Sequence, residues 1–237
     1  MRLNSALLNI LFLCSFAGCN TEVSEVNDIL PSPRNNPFWL DRHNSIVENL
    51  VFNQKIIFIG DSLTHLWSST GYESWQDMEQ LYNTGITNMG FSGDNVGNVI
   101  WRLTNGEFPF GINPEYVVLM IGINNMGDPR LTAAGIDRIL KIIHERSPST
   151  KILLFSLLPC FTANSLFTTK NTLINNIIKD YDRYHKTKYV DIVPYYINGD
   201  EKLKSELFGP AGIHLSLSGY KVWQKEIEKA IAALDSN

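Results

Sequence analysis

The chain has 237 residues, 44% of them hydrophobic and 19% charged, with a formal net charge of −4. That length and balance suit one globular domain of roughly 200 residues with a substantial core. They exclude an ordinary nucleic-acid binder, because phosphate recognition relies on clustered Lys and Arg and no run of five or six basic residues is present.

The first stretch in chain order is not part of a fold. "MRLNSALLNILFLCSFAGC" places Arg2 before a mostly apolar run and small residues before Cys19. This is a secretory signal layout, too short to span a bilayer as a mature helix. "FAGC" resembles a lipobox, which implies lipidation on Cys19 and cleavage before it; simple secretion is the alternative. Residues 1–18 are therefore predicted to be a lipoprotein signal peptide. Residues 19–37, polar and acidic with Pro31, Pro33 and Pro37, read as a flexible tether. Residues 38–237 remain as the domain. The expected location is a bacterial cell envelope, lipid-anchored and extracytoplasmic, with two or three acyl chains on Cys19 holding it there. Cys14 leaves with the signal, so Cys160 is the one cysteine left to the domain and no intrachain disulfide is expected. It follows an apolar strand with no motif around it and reads as a buried, inert thiol.

From residue 38 onward, short apolar runs alternate with helical patterns. Residues 56–59, 86–89, 117–121, 152–158 and 189–193 have strand length, and most end at Gly or Pro. Their continuous apolarity predicts strands covered on both faces. Val96, Val99, Ile100 and Leu103 fall on one helical face, as do Ile136, Ile139, Leu140 and Ile143. Thr132 is the predicted cap of the second of these helices, and Pro148 follows its end. A last helix from about 218 to 234 carries Tyr220, Trp223, Ile227, Ile231 and Leu234 along one side. This alternation predicts an α/β fold, a three-layer α/β/α sandwich with a mainly parallel five-stranded sheet. In such a sheet the functional crevice lies beyond the carboxyl ends of the strands.

Polar clusters occupy those ends. "GDSLT" (60–64) follows the first strand, "GFSGDN" (90–95) the second and "GINN" (122–125) the third, while "GIHLS" (212–216) precedes the last helix. A parallel sheet brings the first three to one edge, and the last helix can carry His214 to them. In this order and spacing the four clusters resemble the blocks of the SGNH hydrolases, also called the GDSL esterase/lipase superfamily, over roughly residues 40 to 234. The run "NMGFSGDNVGNVIWRLTNGEF" with "NPEYVVLMIGINNMG" is especially similar to the platelet-activating-factor acetylhydrolase-like branch and related bacterial acetylesterases.

The resemblance implies an SGNH/flavodoxin-like sandwich and a serine esterase. By this resemblance Ser62 would be the nucleophile, which needs a base because a free hydroxyl is a poor one at neutral pH. His214 is the base that the resemblance implies. By resemblance, the backbone N–H groups of Ser62 and Gly93 and the side-chain amide of Asn124 would form the oxyanion hole. Gly93 lets the main chain approach the acyl oxygen closely, and Asp94 is predicted to start a helix whose dipole adds positive potential. Asp61 is expected to pin the loop through backbone N–H groups. Ser62 as a mere helix cap, and Asn124 or Asn125 as turn residues, are the plainer alternatives. His43, His65, His144 and His185 show no ligand spacing and are assigned to surface or packing. No HExxH, GxxxxGK or GxGxxG is present, so neither metal nor nucleotide cofactor is indicated.

One position departs from the family. The Asp expected three residues before the histidine is Ala211 here. Either a Ser–His dyad operates, or a carboxylate from Asp191, Asp200 or Glu206 substitutes, or turnover is weak or lost. The leading expectation is hydrolysis of short acyl esters, acetyl above all, on a small ester or an O-acetylated glycan. The alternatives are a phospholipid or lysophospholipid acyl hydrolase and a non-catalytic ligand-binding lipoprotein.

Overall fold

The computed structural model describes residues 29–83, 85–160, 166–183, 186–199 and 202–236. The predicted signal peptide and Cys19 lie outside the described residues, as do Asp200 and His185. Five strands, β1 (Ile56–Gly60), β2 (Ile86–Gly90), β3 (Tyr116–Met120), β4 (Lys151–Phe155) and β5 (Thr187–Val190), pair in the order β2-β1-β3-β4-β5. Every pairing is parallel. The central strands β1 and β3 are buried at each position, the physical reason their sequences are uninterrupted apolar runs.

The helices are α1 (Pro37–Glu48), α2 (Ser62–His65), α3 (Tyr72–Leu81), α4 (Val96–Arg102), α5 (Pro129–Arg146), α6 (Leu166–Ile178), α7 (Val193–Tyr196) and α8 (Leu217–Asp235). α4, α5 and α6 pack in succession, and α3 packs on α8. The result is the expected three-layer sandwich. An aromatic cluster holds α3 and α8 to the sheet: Trp67 stacks on Trp223 at 4.5 Å between centroids, with Phe58, Trp75 and Phe155 at their edges. Rings of this size bury about 150–250 Å² each and dominate core energetics. Among the described residues no helix is long and apolar enough to cross a membrane.

Several boundaries differ from expectation. α5 starts at Pro129, with the Asp128 side chain accepting from Arg130 N, so Thr132 lies buried inside the helix rather than at its cap. Asp followed by Pro at N1 is a stronger start than an isolated Thr. α4 begins after Asn95, whose side chain and that of Asn98 cap each other's backbone N–H groups, so Asp94 stands just outside the helix. β4 stops at Phe155 because Leu157 N donates to Asn175 Oδ1 at 2.8 Å instead of continuing the ladder. β5 ends at Val190, beyond which Ile192 N donates to Ser156 Oγ at 3.0 Å instead of continuing the ladder.

The carboxyl ends of β1 and β2 finish on paired glycines, Gly60 and Gly90. A Cβ on Gly60 would sit 2.2 Å from Thr64 Oγ1, and one on Gly90 would sit 2.2 Å from His65 N. Only glycine lets α2 fold back this tightly over the strand ends. Residues 29–36, which the sequence reads as tether, lie along the same edge: Asn98 Nδ2 donates to Ser32 O at 2.9 Å, and Asn36 caps α1.

Candidate active site

Ser62 occupies the first helical position of α2, and the preceding residue does the capping. Asp61 Oδ1 accepts from Leu63 N at 3.0 Å, which leaves the Ser62 hydroxyl free to turn outward. Tyr220 of α8 donates its hydroxyl to Leu63 O at 2.8 Å and so ties α2 to the last helix. The loop before α8 is fixed from both sides: Phe208 and Leu215 form an antiparallel bridge, Gly209 N donates to His214 O at 2.8 Å, and Ser216 N donates to Leu207 O at 3.0 Å. Between these anchors His214 places Nε2 3.0 Å from Ser62 Oγ across 152 positions of sequence.

Gly93 and Asn124 come to the same place. With Ser62 and His214 they line a cavity of about 600 Å³, whose apolar walls include Leu63, Leu66, Ile123 and Ile213. Gly93 has φ of +82°, a conformation that side chains rarely adopt. Asn124 Nδ2 donates to Asp94 O at 2.9 Å, which fixes the amide beside the Gly93 loop. Asn125 takes the other role: it is buried, and its Oδ1 accepts from Val96 N at 3.1 Å. Lys170 of α6 donates to the backbone oxygens of Ile123 and Asn125 and closes this loop from behind. Cys160 is buried and contributes to the cavity wall.

The electrostatics divide by residue. Asp61 is fully buried, its Oδ2 has no hydrogen-bond partner, and burial pushes its carboxyl up to about 7 against the opposing Leu63 N–H. Burial also raises the Asp94 carboxyl, with Arg102 and the Trp39 N–H opposing. His65 accepts from Ser92 N at 3.2 Å and pairs with Ser92 Oγ at 2.9 Å. Burial, then the charge of Arg42, holds this imidazole down at about 4.

A buried polar chain behind Gly93 has no counterpart in the sequence reading. Trp39 Nε1 donates to Asp94 Oδ1 at 2.6 Å, and Arg102 Nε to Asp94 Oδ2 at 2.8 Å. Arg102 Nη1 pairs with Glu107 Oε2, whose other oxygen meets His43 Nδ1 at 2.8 Å. Arg102 and Glu107 are wholly buried. His43 is thus part of a buried ion network, while His144 packs against Thr187 Oγ1 at 3.1 Å.

Ala211 is exposed on a turn and lines a separate hollow of about 560 Å³ with Ser205, Phe208 and Pro210. Asp191 Oδ1 accepts from Val193 N at 3.1 Å, and Glu206 is exposed. Among the described residues no group pairs with Nδ1 of His214. Also among the described residues, no cluster of three His, Cys, Asp or Glu could hold a metal.

Comparison with known proteins identifies the family. The model of the GDSL-like lipase/acylhydrolase family matches residues 58–222. The platelet-activating factor acetylhydrolase IB subunit alpha2 of Gallus gallus is 31% identical over 143 residues, 60% of each chain. The protein of the same name from Rattus norvegicus is 28% identical over 200 residues, 83% of this chain and 84% of its own. A solved GDSL-like lipase from Bacteroides thetaiotaomicron shares the fold, with a TM-score of 0.67 at 20% identity over 82% of this chain and 97% of that one.

Proposed function

Because the chain belongs to the GDSL-like lipase/acylhydrolase family, and so is a hydrolase of the esterase/lipase type, we propose that it cleaves short-chain acyl esters, acetyl esters first, with Ser62 as nucleophile and His214 as base. The observation that carries this reading is the 3.0 Å approach of His214 Nε2 to Ser62 Oγ at the floor of an open cavity. In the first step Oγ bonds to the acyl carbon as its proton passes to Nε2, and the carbonyl electron pair moves onto oxygen. That oxyanion faces the N–H groups of Ser62 and Gly93 and the Asn124 amide. Collapse expels the alcohol, which takes the proton back from His214. Water, deprotonated by the same imidazole, then releases the acid from Ser62. With Ala211 in the acid's place and neither Asp191 nor Glu206 paired to the ring, our reading is a Ser–His dyad, and Asp200, outside the described residues, is the carboxylate left as its alternative.

The relatives' printed name, an acetylhydrolase, supports the short acyl group. A lipid-bearing Cys19 would hold the enzyme in a cell envelope, where an O-acetylated glycan is a fitting substrate. The test is hydrolysis of p-nitrophenyl esters of increasing chain length. Rates should peak at acetyl or propionyl, and Ser62→Ala should lower kcat by at least about 10³-fold. A peak at long chains moves the assignment to a lipase, and equal rates for Ser62→Ala remove Ser62 from the chemistry.

A further inference from the structure

Ser92 and Gly93 are exposed where they border the Ser62 cavity, on the turn between β2 and α4. Ser92 N donates to His65 Nδ1 at 3.2 Å, and Asp94 N donates to Phe91 O at 3.1 Å. Between them, Gly93 N–H meets no acceptor among the described residues. It is the donor that the proposed chemistry needs, and one peptide unit sets its direction. Ser92 C=O and Gly93 N–H share a planar trans peptide and point opposite ways. Whatever holds the oxygen therefore aims the N–H.

The turn itself does not fix that unit. With the Phe91–Asp94 bond and φ of +82° at Gly93, residues 91–94 form a type II turn. A half-turn of the central peptide converts it to type I, with the same Phe91–Asp94 bond kept. Glycine adopts either sign of φ at little cost, so Gly93 does not oppose the change. The half-turn would put Ser92 O where Gly93 N–H stands, and a carbonyl oxygen there repels an oxyanion. Neither neighbouring element prevents it, since β2 ends at Gly90 and α4 begins after Asn95. Arg34 does. Its Nη1 donates to Ser92 O at 2.8 Å across 58 positions of sequence. The guanidinium lies so close over Gly93 that a Cβ there would meet Nη1 at 2.3 Å. A charged donor bonds more strongly than a neutral one, and it polarises the peptide, which sharpens Gly93 N–H as a donor. His65 secures the corner before it, through Ser92 N and, at 2.9 Å, Ser92 Oγ, but touches neither end of the central peptide.

We infer that Arg34 is a positioning residue: its guanidinium latches the Ser92–Gly93 peptide so that Gly93 N–H faces the acyl oxygen. This rests on the esterase reading above and deepens it, because a residue from the predicted tether completes the oxyanion site.

Kinetics on p-nitrophenyl acetate test it with Arg34→Met and Arg34→Lys, beside thermal unfolding of each chain. Arg34→Met should lower kcat by about tenfold or more and leave KM within about twofold, because the N–H is used in the transition state. Arg34→Lys keeps a charged donor and should recover part of that loss. Methylboronic acid gives an independent readout, since its tetrahedral adduct on Ser62 places an oxygen where the oxyanion forms. Its affinity should fall in step with kcat in Arg34→Met. Equal kcat in the wild type and Arg34→Met overturns the latch, and so does a boronate affinity that holds while kcat falls. A lowered unfolding midpoint with a raised KM also overturns it, in favour of a general loosening of the fold. In each of these cases a wild type that turns over the ester, with Ser62→Ala inactive, keeps the esterase reading standing. A wild type without turnover of any p-nitrophenyl ester removes that reading, and the latch with it.

Discussion

Asp61 and Ser62 are adjacent in sequence yet do separate work: the Asp61 carboxyl group caps α2, and the Ser62 hydroxyl faces His214. The cap is bought with burial. In the folded protein Asp61 holds its proton up to about pH 7, whereas an unfolded carboxyl releases it near 3.8. Unfolding therefore releases a proton in this window, and Asp61's contribution makes stability fall as pH rises from about 4 to 7. Asp61→Asn keeps the oxygen that accepts from Leu63 N and removes the charge. Relative to wild type it should gain a few kcal/mol of stability between pH 4.5 and 8, since each tenfold change in proton affinity is worth about 1.4 kcal/mol. Parallel urea-unfolding results at the two pH values would exclude a strained Asp61. Ala211 gives the second residue-scale prediction. With Nδ1 of His214 unpaired among the described residues, Ala211→Asp should fix the ring's tautomer and raise kcat by about tenfold or more. A flat or lower rate means that another group already holds the imidazole, and Asp200→Asn is then the variant to measure.

At the scale of elements, the proposed catalytic edge depends on how α1 and α4 are locked behind it. Asp94 joins Trp39 of α1 to Arg102 at the end of α4, and its backbone oxygen receives the Asn124 amide. Arg102→Leu would leave Asp94 and Glu107 buried without their cation. A loss of about 3–5 kcal/mol is expected by urea unfolding, and kcat should fall because the Asn124 amide loses its fixed acceptor. A loss below about 1 kcal/mol would show that water reaches these carboxylates. Sequence patterning made the sheet legible, since β1 and β3 are buried throughout and their apolar runs have no other use. Ser62, Gly93, Asn124 and His214 were legible because strand ends and a helix start carry them in short motifs. The ion network was not, because residues 39, 43, 94, 102 and 107 follow no period and each is ordinary alone. α5 was misplaced at its start for a related reason: Thr132 fits a cap by type, but Asp128 with Pro129 competes for the same job and wins.

At the scale of the whole molecule the question is where the working unit begins. Composition puts a flexible tether up to residue 37, yet its last part lies against the proposed catalytic edge. Ile29 packs on the core, Ser32 O accepts from Asn98 Nδ2, Arg34 holds Ser92 O, and Asn36 caps α1. These contacts are individually small, and proline-rich polar sequence gives no sign of them. With Cys19 as the proposed lipid site, the run from Cys19 to Ile29 reaches at most ~35 Å, so the catalytic edge would stay close to the membrane surface. Two shortened chains decide how much of the segment the domain needs. A chain beginning at Ile29 should match the mature protein in stability and rate. A chain beginning at Pro37 loses the Asn36 cap, worth about 1 kcal/mol, together with the Ile29 packing, and should be less stable by about 1–2 kcal/mol. Its kcat/KM on p-nitrophenyl acetate should also drop, because the Ser92–Gly93 loop loses the guanidinium that lies over it. Identical unfolding midpoints and rates for the two chains would return residues 29–36 to the role of a plain tether, and would place the support of the Gly93 loop wholly in the Trp39–Asp94–Arg102 chain.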